Sequence, residues 1–106
     1  MSQVSRHELS NGVEQNINNV LYYFFGSLKN KSEAKDVLEE FFTPTEVEML
    51  SKRLALIGMI SQEKSFSEII RRLKVSPSTV GRFTKVVDRG GYEGVRSMIL
   101  RCRADF

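Results

Sequence analysis

The chain has 106 residues, of which 41% are apolar and 27% charged, enough for one domain with a modest core that a second copy would enlarge. Its net charge of +3 hides an asymmetry: residues 1–50 carry four basic and eight acidic groups, and residues 51–90 nine basic and three acidic, or −4 against +6. The basic stretch attracts polyanions and the acidic one is unsuited to face them, while the lone Cys102 excludes an intramolecular disulfide.

In chain order, the first element follows a polar leader that holds the only histidine, His7. Val13, Ile17, Val20, Leu21, Phe24, Phe25 and Leu28 recur every three or four residues, which predicts a long helix with a broad aromatic face widened by Tyr22 and Tyr23. So much apolar surface on one helix calls either for burial within the monomer or for a second copy of the chain. After a turn at Lys29-Asn30-Lys31, Ser32 is expected to cap a short helix with Ala34, Val37, Leu38, Phe41 and Phe42 facing inward. Thr43-Pro44-Thr45-Glu46 is a helix start: Thr43 as cap, Pro44 at the first position and Glu46 closing the box. Leu50, Leu54 and Ile57 are the expected core stripe of the helix it launches, which ends near Ile60.

Ser65 to Val87, SFSEIIRRLKVSPSTVGRFTKVV, reads as two short helices joined by a tight turn. Ser65 caps the first and Glu68 can complete a capping box, with Phe66, Ile69, Ile70 and Leu73 as the buried stripe. Ser76-Pro77 starts the second, on which Val80, Phe83 or Thr84, and Val87 share the inner face. Lys74 stands in the turn, where a left-handed backbone would be needed, and Ile70 at the helix crossing, where a small residue is common. Asp88-Arg89-Gly90-Gly91 ends the second helix through its glycines. A last helix runs from about Tyr92, with Tyr92, Val95, Met98, Ile99 and Cys102 inside and Arg96, Arg101 and Arg103 outside. The expected fold is all-α, six helices and no strand, in one domain over residues 1–106: N-terminal dimerisation helices to residue 42, then a helix-turn-helix part with the C-terminal helix.

The outward residues of the second motif helix are those a major groove can use. Arg82 can fork onto guanine or phosphate, Ser78 and Thr79 can bond either, and Gly81 lets the backbone approach closely. Lys85, Arg71, Arg72, Lys74 and Lys52 or Arg53 are the expected phosphate ligands. Double-stranded DNA is thus the expected partner, through a helix-turn-helix; a helical hairpin with a solvated basic face is the plainer alternative. Nothing supports an enzyme, a metal site or a cofactor: there is one histidine, no metal-ligand cluster, no Gly-rich phosphate loop and no nucleophile beside a base. Without a signal peptide or an apolar run of membrane-spanning length, a cytoplasmic location is expected.

From Phe42 to about Val87 the chain resembles the Trp repressor superfamily. The residues that carry the likeness are Thr43-Pro44-x-Glu46, Leu50-x-x-Arg53, Ser67-Glu68-Ile69 and Thr79-Val80-x-Arg82, in that order. The resemblance implies an intertwined helical homodimer that regulates transcription, with repression as the precedent. It also implies a possible effector pocket at Thr43, Arg53 and Arg82, the positions that hold tryptophan in the family's founding member. There this sequence departs: Phe83 stands where the family has glycine, and Val86 where it has serine. A phenyl ring would fill an indole's space and valine cannot hydrogen-bond a ligand, so tryptophan is not expected to bind. Gly81 also replaces a threonine of the reading helix, so no operator carries over. Two other readings stay open: a protein-protein interaction adaptor built on the same helical shape, and a DNA-targeting subunit of a transposase or recombinase.

Overall fold

A computed structural model describes residues 8–106; His7 and the leader before it lie outside the described residues. The described residues form six α-helices and no strand, as the periodicity predicts. They divide into two compact units, one ending at Val47 and the other running from Glu48 to Phe106.

In the first unit, α1 spans Asn11–Gly26 and α2 spans Lys31–Phe41. The Ser10 hydroxyl accepts the Val13 N–H at 3.4 Å and starts α1. Ser32 is not the cap of α2. Asn30 is: its side-chain oxygen accepts from the Glu33 N–H at 2.9 Å, while Glu33 Oε1 accepts from the Lys29 N–H at 3.2 Å. Asn30-x-x-Glu33 thus satisfies two free amides where Ser32 would have satisfied one, and the helix starts earlier. Phe24, Phe25, Phe41 and Phe42 form an aromatic cluster, with edge-on pairs at 5.4 Å for Phe24–Phe25 and 5.1 Å for Phe41–Phe42. No residue of α1 or α2 is buried, and Val13, Ile17, Val20, Leu21, Tyr22 and Tyr23 are exposed. Phe41, expected inside, is exposed too, and with Ile17, Val20, Leu21 and Phe24 it lines an open apolar groove of about 230 Å3.

Helix α3, Pro44–Ser61, begins on the box read from the sequence: Thr43 Oγ1 accepts from the Glu46 N–H at 3.1 Å, and Glu46 Oε1 from the Thr43 N–H at 2.9 Å. That amide bond holds the Glu46 carboxyl below the usual glutamate range. The expected stripe is only partly the buried one. Ile57 is buried, but Leu50 and Leu54 stay 40% and 43% exposed, and Leu56, Gly58 and Met59 are buried instead. Four consecutive buried residues, Leu56 to Met59, mean that the end of α3 is packed all round.

In the second unit α4 (Phe66–Leu73), α5 (Pro77–Asp88) and α6 (Glu93–Cys102) complete the fold. Leu56, Met59, Ile69 and Val80 form the core, with Ile60, Ile70, Leu73, Val75, Phe83 and Phe106 packed against it. Each such side chain, fully buried, is worth about 1.5–3 kcal/mol relative to exposure. Phe66, expected in this stripe, shares the Ile69–Leu73 face but stands at the first helical position, at the end of the stripe, and is 47% exposed. Lys74 takes the left-handed conformation the turn demands, φ 57° and ψ 44°, and its N–H bonds Ile70 O at 3.0 Å, ending α4. Gly90 does the same after α5 with φ 83°. Gly91 is needed for space: a Cβ there would collide with Val86 Cγ1 and the Val86 carbonyl oxygen. On α6 only Ile99 is buried, while Val95, Met98 and Cys102 are exposed, contrary to the inner face read from the sequence. Cys102 is the last helical residue, beyond the reach of the core, and its thiol donates to Ile99 O at 3.5 Å. Among the described residues no helix is long and apolar enough to cross a membrane, and no three His, Cys, Asp or Glu side chains gather as a metal site.

Candidate nucleic-acid interface

The α4–turn–α5 unit is held by its caps and its shared core. The Ser65 hydroxyl accepts from the Glu68 N–H at 3.2 Å, but the Glu68 carboxylate does not return to Ser65: it pairs with Arg72 at 3.1 Å. An arginine one turn on offers a charge-assisted bond in place of an amide. The Ser76 hydroxyl accepts from the Thr79 N–H at 3.2 Å, with Pro77 at the first position of α5. Val80 and Val87 seat α5 on the core at 0% and 8% exposure, with Phe83 and Thr84 half-buried beside them.

That seating turns Ser78, Arg82 and Lys85 to the outside, and all three are exposed. Thr79 and Gly81 lie on the flanks and are half-buried. At the N-terminus of α5, Ser76 Oγ sits 2.8 Å from Thr79 Oγ1 and 3.2 Å from Ser78 Oγ, with no acidic residue in the first turn. A helix start dressed with hydroxyls and free of carboxylates favours an anion such as phosphate. A Cβ built on Gly81 meets nothing within 4 Å, so packing does not require the glycine.

The cations divide by whether they already have a partner. Arg82, Lys85, Arg71 and Lys74 are exposed and make no side-chain hydrogen bond or ion pair among the described residues. Arg72 is engaged: Nη1 lies 3.1 Å from Glu68 Oε2 and donates to Phe106 O at 2.7 Å. Lys52 is loosely paired with Glu48 at 3.7 Å. Arg89, the C-cap of α5, is exposed and was not among the sequence candidates. Its signal was spacing: Arg82, Lys85 and Arg89 fall at i, i+3 and i+7 on one helical face.

The expected effector residues are distributed as follows. Thr43 belongs to the first unit, its hydroxyl and amide both engaged with Glu46. Arg53 and Arg82 belong to the second and are exposed. Phe83 is half-buried and stacks on Tyr92, ring centres 5.8 Å apart and planes at 18°. Val86 is exposed, its backbone carbonyl accepting from the Gly91 N–H at 2.8 Å.

No curated protein and no solved structure matches the chain significantly. The family model described as Trp repressor protein matches residues 17–100, extending the likeness read at Phe42–Val87 over most of α1, all of α2 and most of α6. That family is one of DNA-binding helix-turn-helix regulators, and the matched segment contains the whole α4–turn–α5 unit. The chain therefore belongs to the Trp repressor protein family.

Proposed function

We propose that this protein is a sequence-specific, DNA-binding transcriptional repressor acting as a homodimer. The observation that carries the reading is the outer face of α5: Ser78, Arg82, Lys85 and Arg89 exposed together, opposite the buried Val80 and Val87. Arg82, with Ser78 and Thr79, reads base edges, and Gly81 admits the backbone to the groove. Lys85, Arg71, Lys74 and Arg89 bind phosphates, joined by Lys52 or Arg53. Arg72 contributes less, since two acceptors already hold it.

A second copy covers the exposed aliphatic and aromatic face of α1, setting two α5 helices into successive major grooves about 34 Å apart. Tryptophan is not the effector. The Phe83 side chain, stacked on Tyr92, supports this, since a ring stands where the family's pocket has a glycine. Selecting binding sites from a random duplex library with protein of known oligomeric state tests the proposal. A palindrome with half-sites one helical turn apart, bound by a dimer, is the expected result; a monomer, or no enriched sequence, contradicts it.

A further inference from the structure

Residues 104–106 lie beyond every motif in the sequence, yet they tie three helices of the second unit together. The Ala104 carbonyl accepts from Gln62 Nε2, just past the end of α3, at 3.0 Å, and the Ala104 N–H bonds Ile99 O on α6 at 3.2 Å. The Phe106 backbone oxygen accepts from Arg72 on α4 at 2.7 Å. Between these ties the Phe106 ring packs on the core of Leu56, Met59, Ile69 and Val80, where α3, α4 and α5 meet. The ring has room because position 58 is glycine: a Cβ built on Gly58 would overlap its Cε2 and Cδ2 atoms. Glycine inside a long helix is otherwise a cost, and here the slot it opens is filled by one side chain from far along the chain.

Resting on the DNA-binding reading above, we infer that Phe106, seated on Gly58, is a positioning residue for the reading head. It does not touch DNA. It wedges between the end of α3 and the α4–α5 pair, while Arg72 is drawn toward residues 104–106 by the Phe106 backbone oxygen. With the tail docked, α4 is fixed against α3 and α5 is presented in one orientation. With it undocked, α4 loses one wall of its packing, and the binding-competent arrangement is populated only part of the time. Apparent DNA affinity falls by that fraction. Because the linkage is reciprocal, DNA must also favour the docked tail.

The experiment uses the full chain and four proteins: wild type, Phe106→Ala, Gly58→Ala and the double variant. Each is measured for thermal unfolding and for affinity to a labelled random-sequence duplex at low salt, well below its melting temperature. Phe106→Ala removes the ring and Gly58→Ala expels it, so both melt lower, Gly58→Ala by less because alanine favours the helix, and both bind about three- to tenfold more weakly. The double variant is no worse than Phe106→Ala, since the added methyl group enters a slot from which the ring is already gone. Saturating duplex slows hydrogen exchange of the Ala104 amide in the wild type. Additive losses of melting temperature would overturn the Gly58–Phe106 coupling. Lower melting temperatures with unchanged affinity and unchanged Ala104 exchange would overturn the positioning role and leave DNA binding standing. A wild type that binds no duplex would overturn both, while the melting cycle still reports whether the ring fills the slot.

Discussion

Replacing Gly81 with alanine sets stability and DNA binding against each other. The residue lies inside α5, and a Cβ there meets nothing within 4 Å, so the methyl group adds no clash and little packing. What remains is intrinsic helix propensity, which favours alanine by about 0.8–1.0 kcal/mol. In a domain of this size that raises the melting temperature by about 4–8 °C. On the proposed reading, the same methyl group projects from the flank of the helix that enters the groove, at the point where the glycine would let the backbone approach. Losing about 1 kcal/mol of contact there weakens binding roughly fivefold. Calorimetry and fluorescence anisotropy with a labelled duplex read the two effects separately. Higher melting with undiminished affinity would refute the close approach, and unchanged or lower melting would refute the statement that the space around Gly81 is open.

Arg82→Ala is expected to cost about 1–3 kcal/mol on a selected operator and to relax specificity, whereas Lys85→Ala weakens all sequences alike; equal losses on specific and random duplexes for both would refute that division of labour. Because the chain has no tryptophan, added L-tryptophan can be followed by its own fluorescence, and no saturable binding is expected with Phe83 stacked on Tyr92. The Glu46 carboxylate, held below the usual range by the Thr43 N–H, stabilises the fold above the unfolded glutamate pKa, and that contribution disappears as pH falls through its lower folded value. Glu46→Gln should therefore flatten the acid limb of the melting-temperature profile; a limb as steep as the wild type's would contradict it.

Capping chemistry made the helix starts legible, because the groups involved are neighbours in sequence. Thr43-Pro44-x-Glu46, Ser65 and Ser76-Pro77 stand in the structure as read, and Lys74 accepts the left-handed turn. Ser32 misled because Asn30 and Glu33 offered a better-satisfied box two residues earlier. Leu50 and Leu54 misled for another reason: α3 is apolar on nearly every side, so periodicity could not say which face meets the core. Cys102 shared a phase with Ile99, yet the helix ends at that residue and leaves it exposed. The outward face of α5 was legible because Val80 and Val87 fix the inward one. The fit of Phe106 to Gly58 was not, since the two residues are far apart in the chain and share no local pattern.

The central claim, a helix-turn-helix that binds duplex DNA through exposed cations, is tested most directly by titrating a labelled random duplex at two salt concentrations. Running the titration with and without L-tryptophan addresses the effector together with the binding. Each phosphate neutralised by Lys85, Arg71, Lys74 or Arg89 contributes about −0.9 to the slope of log affinity against log salt, so a dimer should show a steep fall. The account predicts that steep dependence and no effect of tryptophan. Absent or salt-insensitive binding would contradict the DNA-binding function, and tighter binding with tryptophan would contradict the proposal that Phe83 keeps tryptophan out.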